Sequence, residues 1–541
     1  MDNSINYTEV KPTKISKYFY YLLGLIIFHI VFNTIWIILN NQPPTWDSGL
    51  HTVKSFEMFK SFKDLLTIST YYPPFVHLIG SILVSIVGYS FKSTQITGTL
   101  FLSVALIYIY LYSKELFKNP KIAFFSSLFF SFFITIYEQS RYHMLDIPLT
   151  AMVFGSLYYL EKSNNLVNKR FNLLFFLFFA LATLTKWYAF IFILIPVLFK
   201  IFKIFKEGMY KKISIKNLFF GLLIFSILIL PWYLVNLKSL LTIASYTSTA
   251  ELADPQRLFS IENLLFYKKL IIMFQTSFLG FIFFITSLVL FIKHSLKWRS
   301  LLLISILFIY LVFTMISNKN IRYIIPMMPF IAMIMAFGTD WILERRKFLH
   351  TFLLSTTLSY LVVSYFILSF GFPMYPNYKY AFNFPVIKWL DVYYLDDFPV
   401  KVIHEHNQKL PYSSIVEEIS KFGKSEIRIL TLVDSPYIND YLLNPTLYFK
   451  DPKVQFNIIE YQPLSEVSDI NQYLNQNADI VITSKNYIGL EEGIREYKSL
   501  EKFHEYIISN KLKNFEKVKE YELVGDEYHP NDTIILMKKS F

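Results

Sequence analysis

The chain contains no cysteine and only 15 glycines among its 541 residues. Without cysteine it can form no disulfide, no thiolate metal site and no thiol nucleophile, so the sequence carries no mark of a redox compartment. Charged residues are also scarce, at 17% of the chain, whereas 54% of the residues are hydrophobic. Soluble domains are about 45–50% apolar, so the composition argues against a purely soluble protein.

The hydrophobic residues are concentrated in runs of about twenty, the length that a helix needs to cross a hydrocarbon core ~30 Å thick. These runs predict a polytopic α-helical membrane protein with about 11 transmembrane helices, together with interfacial helices on its outer face. The predicted spans are residues 18–40, 94–113, 121–138, 147–161, 171–185, 187–205, 217–236, 267–292, 300–317, 322–340 and 348–370.

Basic residues determine the predicted orientation, because cytoplasmic loops are enriched in Lys and Arg. Lys11, Lys14 and Lys17 lie next to the first span and place the N-terminus in the cytoplasm. Whether the short apolar run 75–89 crosses the membrane decides on which side all the later loops lie. If it stays at the outer surface, every strongly basic loop is cytoplasmic, and if it crosses, those loops all move outside. We therefore predict that it does not cross, in a multi-pass protein of the plasma (inner) membrane.

The composition changes near residue 380, where the apolar runs shorten to strand length. These short runs are residues 427–433, 480–483 and 533–537. Helix-like charged stretches such as 413–422 and 499–519 alternate with them. We predict a transmembrane domain over residues 1–375 and an extracytoplasmic soluble α/β domain over residues 376–541.

Asp47 follows the first span, in an outer loop that covers residues 41–89. A lone Asp in a loop often caps a turn or a helix, because its side chain accepts bonds from nearby backbone N–H groups. Its carboxylate can also accept the proton of a hydroxyl nucleophile, and a sugar ring could stack on the neighbouring Trp46. Asp146 is similarly open to two interpretations, since with Arg141 it forms either a structural ion pair or part of a site.

Lys186, Lys319 and Arg322 lie at the outer ends of other predicted spans, and Tyr323 follows Arg322. Each cation alone is typical of an interfacial anchor whose charge reaches the lipid headgroups. Each can also bind a phosphate. Charges at the membrane boundary are costly and rare, and these face the same side as Asp47. Together they favour an anionic substrate with a lipid tail.

Three histidines, His51, His77 and His143, fall on the same outer face. Their spacing matches no zinc motif. The outer face also lacks the Asp-x-Asp pair that would hold a divalent ion between phosphates. We predict no metal and no other cofactor.

Six short segments carry a resemblance to a known superfamily. They are Trp46-Asp47, Tyr72-Pro73-Pro74, Arg141 to Pro148, Thr183 to Lys186, Leu230 to Tyr233 and Asn320 to Pro326. In this order the segments resemble the C-type (GT-C) membrane glycosyltransferases, in particular the protein O-mannosyltransferases and the lipid A aminoarabinose transferases. The resemblance covers roughly residues 18–370, and it rests on the order and common face of the segments rather than on any one of them.

The resemblance implies transfer of one sugar from a polyprenyl- or dolichyl-phosphate donor to a hydroxyl of a lipid, glycan or protein. Transfer would occur on the extracytoplasmic face with inversion. The implied catalytic residues are Asp47 and Asp146. The implied donor phosphate-binding residues are Lys186, Arg322, Tyr323, Lys319 and Arg141, and the implied sugar- or acceptor-binding residues are Trp46, His51, Tyr72 and His143. The chain departs from many relatives at Asp47-Ser48, where they have Asp-Glu, and from some at Tyr71-Tyr72, where they have Glu-Lys.

Two other classes of protein remain open at this point. A multispan transporter or flippase would also combine apolar helices with intramembrane charges, but it should have inverted repeats or broken helices near mid-membrane. A non-catalytic scaffold that displays the C-terminal region would not need two acidic and two basic groups on one face. The outer loops 41–89 and 237–266 should cover the cavity of an enzyme.

Overall fold

The computed structural model describes residues 16–40, 46–208, 214–249, 259–294, 298–316, 319–345, 348–370, 412–422, 426–432, 455–459, 469–486, 495–509, 512–522 and 533–540. The predicted domain boundary at residues 375 and 376 lies outside the described residues. The same holds for Lys11, Lys14 and residues 250–258 of the second outer loop.

The described part of the first 370 residues is almost entirely helical. Its α-helices are α1 Lys17–Leu39, α2 Trp46–Lys60, α3 Phe75–Val87, α4 Phe91–Phe117, α5 Pro120–Ser131, α6 Ile134–Gln139, α7 Asp146–Lys162, α8 Lys169–Thr183, α9 Phe190–Lys206, α10 Ile215–Thr249, α11 Ile261–Leu270, α12 Ser277–Lys293, α13 Arg299–Met315, α14 Met328–Arg345 and α15 Phe348–Phe370. Two 3₁₀ helices, Phe62–Asp64 and Ile321–Met327, and one π-helix, Ile271–Gln275, complete it.

Polar side chains begin several helices where a loop meets an apolar run. Ser16 caps α1 and Asn168 caps α8 by accepting bonds from backbone N–H groups of the first turn. Asn119 does the same for α5, with Pro120 in the first turn. These residues satisfy N–H groups that have no partner within the helix, and proline has no N–H to satisfy there.

Among the residues that the structure describes, five helical segments are long and apolar enough to cross a membrane. They are Lys17–Leu39, Phe91–Phe117, Ile215–Ser245, Ile321–Arg345 and Phe348–Phe370. The protein is therefore an integral membrane protein. Helix α3, within the predicted non-crossing run, has 13 residues, about 20 Å of helix, which is shorter than the ~30 Å hydrocarbon core. The total number of spans stays a prediction.

Three predicted spans are not continuous α-helices. The run 121–138 is divided at Phe133, whose extended backbone separates α5 from α6. The run 267–292 contains the π-helix, after which Ser277 has a φ of +62°. The run 322–340 begins as a 3₁₀ helix that contains Pro326, a residue without the N–H that an α-helical turn requires.

Helix α14 lies at the centre of the helical region, and all its residues from Met328 to Ala336 are buried. Helix α4 packs against α7, and α7 against α8. Gly98 of α4 allows a close approach, because a Cβ there would lie 2.6 Å from the Tyr142 carbonyl oxygen and 2.7 Å from that of Ser140. This contact fixes the turn that leads into α7.

Beyond residue 411 the described segments form a five-stranded sheet. Its strands are β1 Glu426–Thr431, β2 Gln455–Ile459, β3 Ile480–Ser484, β4 Phe515–Glu522 and β5 Thr533–Lys539, in the order β2-β1-β3-β5-β4. The first three strands run parallel, and β5 is antiparallel to β3 and β4. Three further helices accompany the sheet: α16 Tyr412–Ser420, α17 Ile470–Asn477 and α18 Arg495–Ile508.

The predicted helical stretch 499–519 is wrong in its second half. Helix α18 ends at Ile508, and Phe515 begins strand β4. Along β4 only Phe515 and Tyr521 are buried, and the charged residues between them are largely exposed. Pairing with β5 stabilises this stretch as a strand at the sheet edge, and that neighbour cannot be read from local sequence.

Candidate active site

Asp47 lies in the first turn of α2 and is paired with a residue 275 positions away. Arg322 Nη2 donates to Asp47 Oδ2 over 2.7 Å, and the two side chains are 16% and 39% exposed. Asp47 is thus a helical residue, and its negative charge lies near the positive end of the helix dipole. Its partial exposure leaves the carboxylate accessible from outside the protein.

Asn320 orients Arg322 toward Asp47. The Asn320 side-chain oxygen accepts bonds from both the backbone N and the Nε of Arg322, each 3.0 Å long. A guanidinium whose Nε is held in this way keeps its terminal nitrogens pointed in one direction. Asn320 was named from the sequence only as the first residue of a segment and was given no role, although its place immediately before a helical segment is typical of a cap.

Asp146 and Lys186 form a second ion pair, which is buried. Lys186 Nζ donates to Asp146 Oδ1 over 2.7 Å, and the side chains are 8% and 1% exposed. The Lys186 ammonium lies 5.5 Å from the ring centre of Tyr188 and 5.6 Å from that of Tyr323. Aromatic faces attract cations, so the two rings and Asp146 together hold the ammonium in place.

The two ion pairs belong to one site. Burial lowers the pKa of Lys186 below its ordinary value. The negative charges of Asp146 and Asp47 partly offset this lowering, and the positive charge of Arg322 adds to it. Each pair therefore lies within electrostatic range of the other. The structure brings together two carboxylates and two cations that the sequence had placed on one face.

Three histidines, His51, His77 and His143, are buried, and His51 lies in the same helix as Asp47, four residues further on. The Nδ1 of His51 and the Nε2 of His77 are 3.0 Å apart, and the Nε2 of His143 lies 2.8 Å from Ser55 Oγ. The Tyr72 ring meets His51 edge to face, with centres 4.7 Å apart. Of the residues predicted to bind sugar or acceptor, His51 and His143 are thus enclosed, whereas Tyr72 is half-buried.

Burial keeps these histidines neutral. It lowers the pKa of His51 and of His77 well below the ordinary value, and that of His143 to about 3. In the unfolded chain their pKa would be about 6.5.

The free energy of unfolding should therefore fall as the pH drops below about 6.5, because only the unfolded chain then takes up these protons. Three such groups give a slope of at most about 4 kcal/mol per pH unit. The His77→Gln variant should lose about a third of that slope, measured as thermal unfolding in detergent between pH 7.5 and 4.5. Parallel curves for the variant and the wild type would contradict this prediction.

Arg141 and Lys319 lie in different surroundings from the two ion pairs. Arg141 is completely buried, donates to Asn33 over 3.0 Å and to Ser369 over 2.7 Å, and lies 5.2 Å from the ring centre of Tyr365. It thereby links α1 to α15. Lys319 Nζ donates to the Ile316 carbonyl oxygen over 2.7 Å. Their phosphate-binding roles stay predictions.

Two residues remain to be described: Trp46, which was predicted to belong to the site, and Glu138, which was not. The side chain of Trp46 lies outside the described residues, although its backbone begins α2. Glu138, at the end of α6, is buried, accepts a bond from Gln139 and is influenced by the charges of Arg322 and Asp146. A Glu at the end of a predicted span is the signal that could have pointed to it.

Comparison with known proteins gives a partial match to one sequence family and a likeness in fold. Residues 72–234 match the model of the dolichyl-phosphate-mannose-protein mannosyltransferase family. A comparison with curated proteins gives no significant match. The structure resembles that of ArnT from Cupriavidus metallidurans, both bound to undecaprenyl phosphate and in the apo state. Each comparison has a TM-score of 0.63 and 13% identity, and covers 96% of this chain and 98% of ArnT.

A weaker likeness is to the protein O-mannosyltransferase Pmt1–Pmt2 complex of S. cerevisiae bound to its sugar donor. There the TM-score is 0.32 with 16% identity over 43% of this chain and 34% of the other, which is too low to carry an argument. The residues that the family model matches include four of the six segments named in the sequence analysis, from Tyr72-Pro73-Pro74 to Leu230–Tyr233. The resemblance is thus confirmed: the chain is similar to the C-type (GT-C) membrane glycosyltransferases, by sequence over residues 72–234 and by fold over nearly its whole length.

Proposed function

We propose that the protein transfers a single sugar from a polyprenyl- or dolichyl-phosphate donor to an acceptor hydroxyl, on the extracytoplasmic face and with inversion. The observation that carries this proposal is the accessible Asp47 carboxylate bonded to Arg322, beside the buried pair of Asp146 and Lys186. One site thus offers a base and two cations, as the departure of a lipid phosphate requires.

In the mechanism that we propose, Asp47 accepts the proton of the acceptor hydroxyl, or orients that hydroxyl. The hydroxyl oxygen forms a bond to the anomeric carbon as the bond from that carbon to the phosphate oxygen breaks. The departing lipid phosphate takes the bonding electrons, and Arg322 and Lys186 stabilise its charge. Positioning and electrostatics supply most of the rate enhancement.

Arg322 has a further role in this mechanism. In the structure its guanidinium donates a hydrogen bond to Asp47 Oδ2, so that oxygen is already occupied. A donor phosphate competes for the same guanidinium. Donor binding would therefore free Asp47 at the moment when a base is needed.

Asp146, predicted as a second catalytic carboxylate, we assign to positioning. It is 1% exposed and its contact is with Lys186, so it acts through that ammonium. The rings of Tyr323 and Tyr188 lie close to the same ammonium. The acceptor is a lipid, a glycan or a protein. Outer-face residues other than these two ion pairs would select among the three classes.

The domain arrangement follows from the predicted orientation. We propose that residues 1–375 form the transmembrane domain, with a cytoplasmic N-terminus in the plasma (inner) membrane. Residues 376–541 would then lie outside the cytoplasm, where they can help to select the acceptor. The outer loops 41–89 and 237–266 would cover the cavity.

The direct test uses purified protein and a panel of polyprenyl-phosphate sugars that differ in the sugar. Release of polyprenyl phosphate is followed with and without candidate acceptors. We expect one donor to be consumed, with release that depends on an acceptor. Movement of intact donor between the leaflets of vesicles, without any release, would instead establish the flippase alternative.

A further inference from the structure

A polar cavity lies at the C-terminal ends of α7 and α9, whereas the candidate active site lies at the other ends of these helices. It has a volume of about 640 Å³, which is within the usual range of ligand pockets. Four lysines, two glutamates, two asparagines, three aromatic residues and one leucine line it.

The cavity is far from the two ion pairs described above. Asp146 begins α7, and Glu161 lies in its last turn, so fifteen residues or about 22 Å of helix separate them. Lys186 precedes α9, whereas Lys200 and Lys203 lie near its end. The cavity therefore opens toward the other membrane face, which is the cytoplasmic face in the predicted orientation.

Its lining carries a surplus of positive charge. Lys200 is paired with Glu161 over 2.9 Å. Glu115 is shared between Lys162, at 3.2 Å, and Lys118.

Lys203 has no carboxylate partner among the residues that the structure describes, and its ammonium lies 5.8 Å from the ring centre of Trp298. Four lysines thus face two glutamates, so an anion entering the cavity would meet a net attraction.

Asn165 adds a hydrogen-bond acceptor. The residue is 4% exposed, and within the described part of the chain its side-chain oxygen is buried without a hydrogen-bond partner. A buried acceptor without a donor is destabilising. A ligand that carries a hydroxyl or ammonium group beside its anion would satisfy this oxygen.

The surface next to the cavity is apolar and faces outward. Leu198, Phe202 and Phe205 of α9 are 50%, 65% and 64% exposed, as expected of side chains that contact acyl chains. Lys203 lies on the same helix, next to Phe202. A bound anion would thus have lipid-facing side chains beside it.

We infer that this cavity binds the phosphate headgroup of an anionic phospholipid of the cytoplasmic leaflet. The phosphate would lie near Lys203 and Lys162, a headgroup hydroxyl would donate to Asn165, and the acyl chains would follow α9. Basic pockets at this membrane depth are known to bind such headgroups.

The test compares lipid retention by native mass spectrometry of the full-length protein purified in detergent. Phosphatidylglycerol, phosphatidylcholine and inorganic phosphate are added separately. We expect phosphatidylglycerol to be retained in preference to phosphatidylcholine, and the Lys203→Gln/Lys162→Gln variant to bind it roughly tenfold more weakly. Lys114→Gln is the single-charge control, since Lys114 is exposed in the last turn of α4 but does not line the cavity.

Equal retention of the two phospholipids would overturn the inference, as would equal weakening in the double variant and the control. Binding of inorganic phosphate without retention of phosphatidylglycerol would overturn the assignment to a lipid. Elution of both variants as monodisperse protein with wild-type thermal stability excludes misfolding as the cause of weaker binding. Because sugar transfer is not measured, the result is independent of the proposed function.

Discussion

Asp47→Asn should lower the turnover of sugar transfer by about 10²- to 10⁴-fold, the usual contribution of a general base. The amide cannot accept the proton of the acceptor hydroxyl, yet it has nearly the same shape and can still accept a bond from Arg322. Donor affinity should be kept or increased, because the neutral amide competes less strongly with the donor phosphate for that guanidinium. The measurement is the rate of polyprenyl phosphate release at saturating and at limiting donor.

The matched control is Asp64→Asn. Asp64 lies in the same outer loop, is exposed, and accepts a bond from Ser61, so the substitution removes the same charge outside the site. Turnover of this variant should stay within about twofold of the wild type. Near-normal turnover of purified Asp47→Asn would overturn the central assignment. A weaker affinity for donor with unchanged turnover would make Asp47 a binding residue.

Breaking the buried ion pair from one side should destabilise the protein by about 3–5 kcal/mol. Lys186→Met leaves the Asp146 carboxylate at 1% exposure without its ammonium, and Asp146→Asn leaves the ammonium without its counter-charge. Replacing both residues together should recover most of the lost stability, because neither change then leaves a buried charge unpaired. All three variants should be inactive in sugar transfer, since none of them holds an ammonium in place for the departing phosphate.

Thermal unfolding in detergent measures the stability part of this prediction. Lys54→Met is the control, because Lys54 pairs with Glu57 at 24% and 27% exposure, and a pair exposed to this degree contributes at most about 1 kcal/mol. If Lys186→Met is as stable as Lys54→Met, Asp146 is not a buried charge that depends on Lys186. A double variant that regains full transfer would show that Lys186 does not act on the phosphate.

Arg141 illustrates where sequence reasoning reaches its limit. Its place at the outer end of a predicted span gave it the same expected role as Arg322, because both are cations beside apolar runs. The structure separates them: Arg322 reaches Asp47 at the surface, whereas Arg141 is buried among the rings of Trp36, Tyr137 and Tyr365. Those rings come from three helices, and only their packing decides which guanidinium is enclosed.

The histidines show a contact that the sequence did not predict. Their spacing along the chain predicts nothing, and yet His51 and His77 approach within 3.0 Å because α2 packs against α3. Strand β4 also depends on a partner, since its charged sequence becomes a strand only beside β5. In each case the contact joins two segments that no periodic pattern in the sequence predicts to be neighbours.

The sequence by itself determined that the chain is a helical membrane protein and that its unusual charges gather at the ends of apolar runs. Hydropathy is a local property, and the thickness of the membrane sets the length of apolar run that forms a spanning helix. Only the tertiary structure decided that Asp47 pairs with Arg322 and Asp146 with Lys186. Such pairing depends on how helices pack at short range, and a difference of a few ångströms separates an ion pair from two independent anchors.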